Sequence, residues 1–86
     1  MIKVFYARAF LRQLKKLEDG LVMEAVEKIE LFKNEKNHTM LKVHKLHGNL
    51  KDKYSFSVNY KVRIIFEYDS KGQIYIIAID DHDVYK

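Results

Sequence analysis

Apolar and polar residues change their spacing along this chain, and each spacing predicts a different element. Residues 2–6 are short and rich in β-formers, which predicts a strand. Phe10, Leu11, Leu14 and Leu17 then recur at three- and four-residue intervals, with Arg8, Arg12, Lys15 and Lys16 on the remaining faces. That spacing predicts an amphipathic helix. Asp19-Gly20 is expected to end it, because glycine suits the left-handed conformation found at helix C-termini. A second apolar stripe, Val22, Ala25, Val26, Ile29 and Phe32, predicts another helix that frays around Asn34 to Asn37. Two helices joined by so few residues are expected to form an antiparallel hairpin.

The second half alternates with period two. Tyr54, Phe56 and Val58 are apolar, whereas Lys53, Ser55, Ser57 and Asn59 are polar. The next segment places Tyr60, Val62, Ile64, Phe66 and Tyr68 on one side, and Lys61, Arg63, Ile65 and Glu67 on the other. Asp69-Ser70-Lys71-Gly72 reads as a turn. The run from Ile74 to Ile79 is apolar on both faces, as an interior strand should be, and a short tail runs from Asp80 to Lys86. The predicted fold is therefore α+β: strand, helical hairpin, then a three-stranded antiparallel meander, with the helices packed on one face of the sheet. The first strand is expected to join the sheet, since alone it would leave backbone groups unsatisfied. Residues 1–86 are expected to form a single domain.

Composition narrows the chemistry. The absence of cysteine excludes disulfides, thiolate metal sites and a cysteine nucleophile, and is compatible with a cytoplasmic location. The beginning of the chain lacks the charged-then-apolar order of a signal peptide, and no window approaches a membrane span. Sixteen Lys plus Arg against 12 Asp plus Glu give a formal charge of +4, which favours a polyanionic partner. Lys42, Lys45, Lys51, Lys53, Lys61 and Arg63 fall in one stretch opposed only by Asp52.

Strand parity then locates a candidate surface. If the even-numbered residues face the helices, Lys53, Ser55, Ser57, Asn59, Lys61, Arg63 and Glu67 face away. Such a face, basic and rich in hydroxyls around an arginine, suits phosphodiester contacts, because guanidinium presents paired donors to phosphate oxygens. Four histidines could exchange protons near neutral pH: His38, expected to be simply exposed, His44, His47 and His82. A zinc site from His44, His47 and Asp80, Asp81 or Asp83 would not have the spacing of a recognised motif, and neither metal nor cofactor is expected.

The run from His44 to Lys51, His-Lys-Leu-His-Gly-Asn-Leu-Lys, is followed by Tyr54 and then by Val62-Arg63-Ile64-Ile65-Phe66-Glu67-Tyr68. Together with the ending Ile79-Asp80-Asp81-His82-Asp83-Val84-Tyr85, it resembles the RelE/ParE superfamily of toxins. The nearest branches are the histidine-using ones, like YafQ and YoeB. The resemblance spans essentially the whole chain. It implies a metal-independent endoribonuclease that cuts mRNA on the ribosome and blocks translation. It further implies a cognate antitoxin that wraps the monomeric toxin within a hetero-oligomeric complex.

By this resemblance Arg63 contacts the scissile phosphate, His44 and His82 are the acid–base pair, and Tyr85 is the terminal aromatic. Lys45, Lys51, Lys53, Ser55 and Ser57 would bind RNA. RelE itself carries lysines on the strand where this chain has Ser55 and Ser57, so lysine-based proton transfer does not carry over. The interval from His82 to Tyr85 is one residue shorter than in the nearest pattern. Two other readings share these features: a ParE-like inhibitor of DNA gyrase, and a non-catalytic module that binds nucleic acid or protein.

Overall fold

Helix α1 (Arg8–Lys15) turns Phe10 into the core and leaves Arg8, Arg12 and Lys15 exposed. Arg12 and Lys15 fall in its last turn, where cations complement the helix dipole. The computed structural model describes residues 1–81. Contrary to the sequence expectation, Asp19-Gly20 does not end this helix. The chain turns at Lys16 to Glu18, and both residues open α2 (Asp19–Phe32). Asp19 supplies the acidic charge of its first turn, favourable to the dipole, and Gly20 is not among the residues with positive φ.

The end of α2 is secured by side chains. Asn37 Nδ2 donates to the Leu31 carbonyl at 2.8 Å, and His38 Nε2 donates to the Phe32 carbonyl at 2.7 Å. These carbonyls belong to the last turn, which has no intrahelical donors to satisfy it. The segment expected to fray is a 3₁₀ turn, Glu35–Asn37, capped by Asn34. His38 is half-buried and stacked on Phe32, with ring centroids 4.7 Å apart, rather than exposed. Its role is to finish a helix.

Five strands form one sheet in the order β1-β5-β4-β3-β2. β3 (Tyr54–Ser57), β4 (Val62–Tyr68) and β5 (Ile74–Asp81) are the antiparallel meander read from the alternation. β1 (Val4–Tyr6) pairs with β5 in parallel, as its backbone required. β2 (His44–Lys45) was not anticipated; it adds an outer strand antiparallel to β3, with His44 opposite Ser55. β5 runs two residues past its predicted end. Within it, Phe66 pairs with Ile76 but Ile65 pairs with Ala78, so Ile77 is an extra residue, a β-bulge.

The core lies between helices and sheet: Phe10, Ala25, Ile29, Phe32, Phe56, Ile64, Phe66 and Ile76 are among its buried members. Val26, assigned to the apolar stripe, is exposed. Phe32 is central, 4.3 Å from the Phe56 ring and 4.9 Å from Phe66. No helix among the described residues is long and apolar enough to cross a membrane.

Phe32→Ala should cost roughly 3–5 kcal/mol, the range for truncating a fully buried aromatic. Met23, 73 % exposed on the same helix, should tolerate alanine within about 0.5 kcal/mol. Urea unfolding of both variants checks the pair.

Candidate nucleic-acid interface

Cross-strand pairs put side chains from neighbouring strands next to each other on one face of a sheet. Ser57 pairs with Arg63, and Arg63 with Asp80, which makes one row across three strands. The adjacent row is His44, Ser55, Ile65 and Ala78. Both lie on the face that strand parity assigned to the odd residues. The bulge completes the first row. Without Ile77 as an extra residue, Arg63 would face Ile79; with it, Ile79 joins Ile64 and Asp80 reaches the arginine.

Arg63 Nε donates to Asp80 Oδ2 at 2.8 Å. Asp80 is only 8 % exposed, whereas the arginine is half-buried. A carboxylate this buried holds the guanidinium by its Nε edge, and the Nη donors carry no hydrogen bond to another described residue. Asp80 Oδ1 and Ser55 Oγ are buried without a hydrogen-bond partner among the described residues. Polar groups in that state are uncommon; here one belongs to the arginine's partner and the other to the adjacent row of the same face.

His44 stands at the outer edge of the same surface. Its Nδ1 donates to the Lys42 carbonyl at 2.7 Å, because a carbonyl can only accept. The neutral ring then carries its proton on Nδ1 and presents Nε2 as an acceptor. Lys42 achieves this with φ of 58°, a left-handed conformation unusual for a residue with a side chain. Strained backbone of this kind recurs at sites where geometry has to be held.

A cleft of about 350 Å³ joins these groups. Arg63, His44, Ser55 and Ser57 line it, together with Lys42, Asn59, Tyr60 and Val62. Three expected RNA contacts do not line it. Lys53 is held by Glu67 at 2.7 Å, a strand neighbour with the opposite charge. Lys45 lies 4.0 Å from Asp52, and Lys51 follows the 3₁₀ turn Gly48–Leu50. The face is also less polar than alternation suggested, since Ser55 is 1 % exposed and Leu46 and Ile65 are buried outside the main core. His82 and Tyr85 lie outside the described residues.

Sequence reasoning missed Asp80 as the partner of Arg63, and it missed Lys42 and Tyr60 as lining residues. In the sequence Asp80 reads only as a candidate metal ligand; among the described residues no three His, Asp or Glu side chains gather as ligands. Lys33 and Tyr68, whose titration is displaced, do not line the cleft. Lys33 is raised by its hydrogen bond to Glu30, and Tyr68 is raised by burial.

A five-stranded sheet with two helices on one face, carrying this arginine near the start of β4, has the fold of RelE-like toxins. Solved structures of such toxins share it across nearly their whole length. The RelE–RelB complex of Pyrococcus horikoshii OT3 matches with a TM-score of 0.70 and 19 % identity, over 94 % of this chain and 94 % of that one. The YoeB–YefM complex of Staphylococcus aureus gives 0.67 and 20 %, over 95 % and 98 %. YafQ of E. coli gives 0.68 and 11 %, over 99 % and 98 %. No family model and no curated protein matches the sequence.

Arg63→Ala leaves the buried Asp80 charge without its cation and should cost about 1–3 kcal/mol. Adding Asp80→Asn should recover about 1 kcal/mol of that, because no buried charge remains. Denaturation of both variants tests the pair; a double variant less stable than Arg63→Ala would show that Asp80 is not held by Arg63.

Proposed function

We propose that this protein is the toxin of a type II toxin–antitoxin pair, an mRNA endoribonuclease that blocks translation without a metal or cofactor. The observation that carries the reading is the convergence of a fixed guanidinium and an oriented imidazole on one cleft: Arg63 held by Asp80, and His44 held by the Lys42 carbonyl. The RelE-like fold and the sequence motifs around His44, Arg63 and His82 support it.

The reaction follows from those groups. His44 Nε2 takes the proton of an RNA 2′-hydroxyl, and the oxygen attacks the adjacent phosphorus. The bond to the 5′-oxygen breaks, that oxygen receives a proton from His82, and the products are a 2′,3′-cyclic phosphate and a 5′-hydroxyl. Arg63 directs its Nη donors at the phosphoryl oxygens, where negative charge gathers in the transition state. Ser57 adds a hydroxyl, Lys42 adds charge along the backbone, and Tyr85 stacks on a base. Alignment of the RNA in the cleft falls to a second body. A ribosome holding the codon supplies it, and cleavage of free RNA should be much slower.

The implied partners are a cognate antitoxin, which the toxin meets as a monomer within a hetero-oligomer, and ribosome-bound mRNA in the cytoplasm. The archaeal RelE and staphylococcal YoeB structures are themselves complexes with RelB and YefM.

Induced expression followed by primer extension on a known transcript tests the assignment. The wild type should arrest growth and produce new 5′ ends. Arg63→Ala/Asp80→Asn, with both charges gone, should lose cleavage at least about 100-fold while remaining folded. His44→Ala should lower the cleavage rate by roughly 10²–10⁴ and change RNA affinity far less. Growth arrest with DNA breaks and intact transcripts would transfer the protein to the gyrase-inhibitor class.

A further inference from the structure

Tyr60 is the most exposed aromatic of the described chain, at 89 %, and it sits on the rim of the cleft that contains Arg63. An aromatic ring left in water adds almost nothing to the fold, since its apolar area is not removed from solvent. The turn does not need it either. Asn59 builds that turn: its Oδ1 accepts the Lys61 and Val62 amides at 2.8 and 2.9 Å, and the Val58 amide donates to the Val62 carbonyl. Asn59 Nδ2 then donates to Glu24 on α2 at 2.9 Å, which ties the turn to the helical layer. Tyr60 is thus presented at the apex of an anchored turn, three residues along the chain from the arginine.

The ring is biased toward a particular kind of ligand. Lys61 Nζ lies over it, 5.8 Å from the centroid, so the tyrosine is accompanied by a cation. Lys42 lines the same cleft. A flat π-face, the Lys42 ammonium and a guanidinium in one groove match a nucleotide that is not base-paired, whose base can stack while its phosphates are neutralised. A peptide or an acidic protein surface would use the cations but has no need of a solvent-exposed ring with a charged companion.

We propose that Tyr60 is a base-stacking platform, binding an unpaired nucleotide next to the one whose phosphate meets Arg63. The proposal rests on the ribonuclease reading and adds a subsite to it. Because every base has a π-face, Tyr60 contributes affinity and positioning rather than sequence preference. It also favours single-stranded over duplex RNA, since a base inside a helix has no free face to offer.

The test uses the full chain and a fluorescently labelled single-stranded hexaribonucleotide, 2′-O-methylated throughout so that no 2′-hydroxyl can attack. Tyr60→Ala should raise Kd about thirtyfold, the middle of the range for removing one stacked base, without moving the unfolding midpoint. Tyr60→Phe and Tyr60→Trp should stay within about threefold of the wild type, because both keep a ring. Replacing one base of the oligonucleotide by an abasic residue, position by position, should weaken wild-type binding at one place and leave Tyr60→Ala unaffected there.

On ribosome-bound mRNA the same alanine variant should raise KM with kcat little changed. Three results overturn the proposal: an unchanged Kd for Tyr60→Ala, equal losses for the Phe, Trp and Ala variants, or an abasic penalty that persists in Tyr60→Ala. The two readings fail separately. Transcript cleavage with wild-type RNA binding by Tyr60→Ala removes the platform and keeps the nuclease. Stacking-dependent RNA binding with intact transcripts in vivo keeps the platform and removes the nuclease.

Discussion

The ion pair between Arg63 and Asp80 exists because of one extra residue in β5. A strand that kept strict alternation from Ile74 onward would send its even residues toward the helices throughout. Asp80 would then be forced into the apolar layer, where an unpaired carboxylate is costly. The bulge at Ile77 reverses the parity, so that Ile74 and Ile76 before it and Ile79 after it all serve the helix side. Asp80 comes out on the other face, opposite Arg63. One insertion thus reconciles a continuous apolar layer with a buried charge pair on the opposite surface. Bulges are often found where a strand has to re-aim a side chain.

This device also marks the boundary of what the sequence discloses. The strands with clean alternation, around Phe56 and Ile64, announced their faces, and Arg63 was placed on the open side from parity alone. The segment from Ile74 to Ile79 has no polar residue except the hydroxyl of Tyr75, so no pattern reveals where its parity changes. The fate of Asp80 was therefore illegible. For the same reason a two-residue strand such as His44–Lys45 leaves no periodic signal, although it fixes the histidine beside Ser55. Gly20 misled in another way. Glycine is common just past helix ends, yet it is also tolerated in a first turn, and only the observed backbone separates the two. Lysine count was the poorest guide. Lys53 lies in the basic stretch and on the predicted face, but Glu67 on β4 takes up its charge.

The two groups proposed to act on RNA are oriented by different means, and the difference bears on how the proposed site would work. Arg63 is positioned by a side chain that shares its face of the sheet, a contact made by long-range strand pairing and available only in the folded domain. His44 is positioned locally, by a carbonyl two residues before it. That carbonyl is aimed by a left-handed lysine whose conformation costs about 1 kcal/mol. Local strain is sustained only where the surroundings over-determine it. Here the neighbouring residues supply that constraint: Leu41 is buried in the core, its amide and carbonyl are both hydrogen-bonded, and Val43 donates to the His38 carbonyl. The acceptor nitrogen of His44 is consequently set by the backbone that enters the sheet, and the cation by the sheet itself. Each can be perturbed without moving the other, so the roles proposed for them, proton transfer and charge stabilisation, are separable.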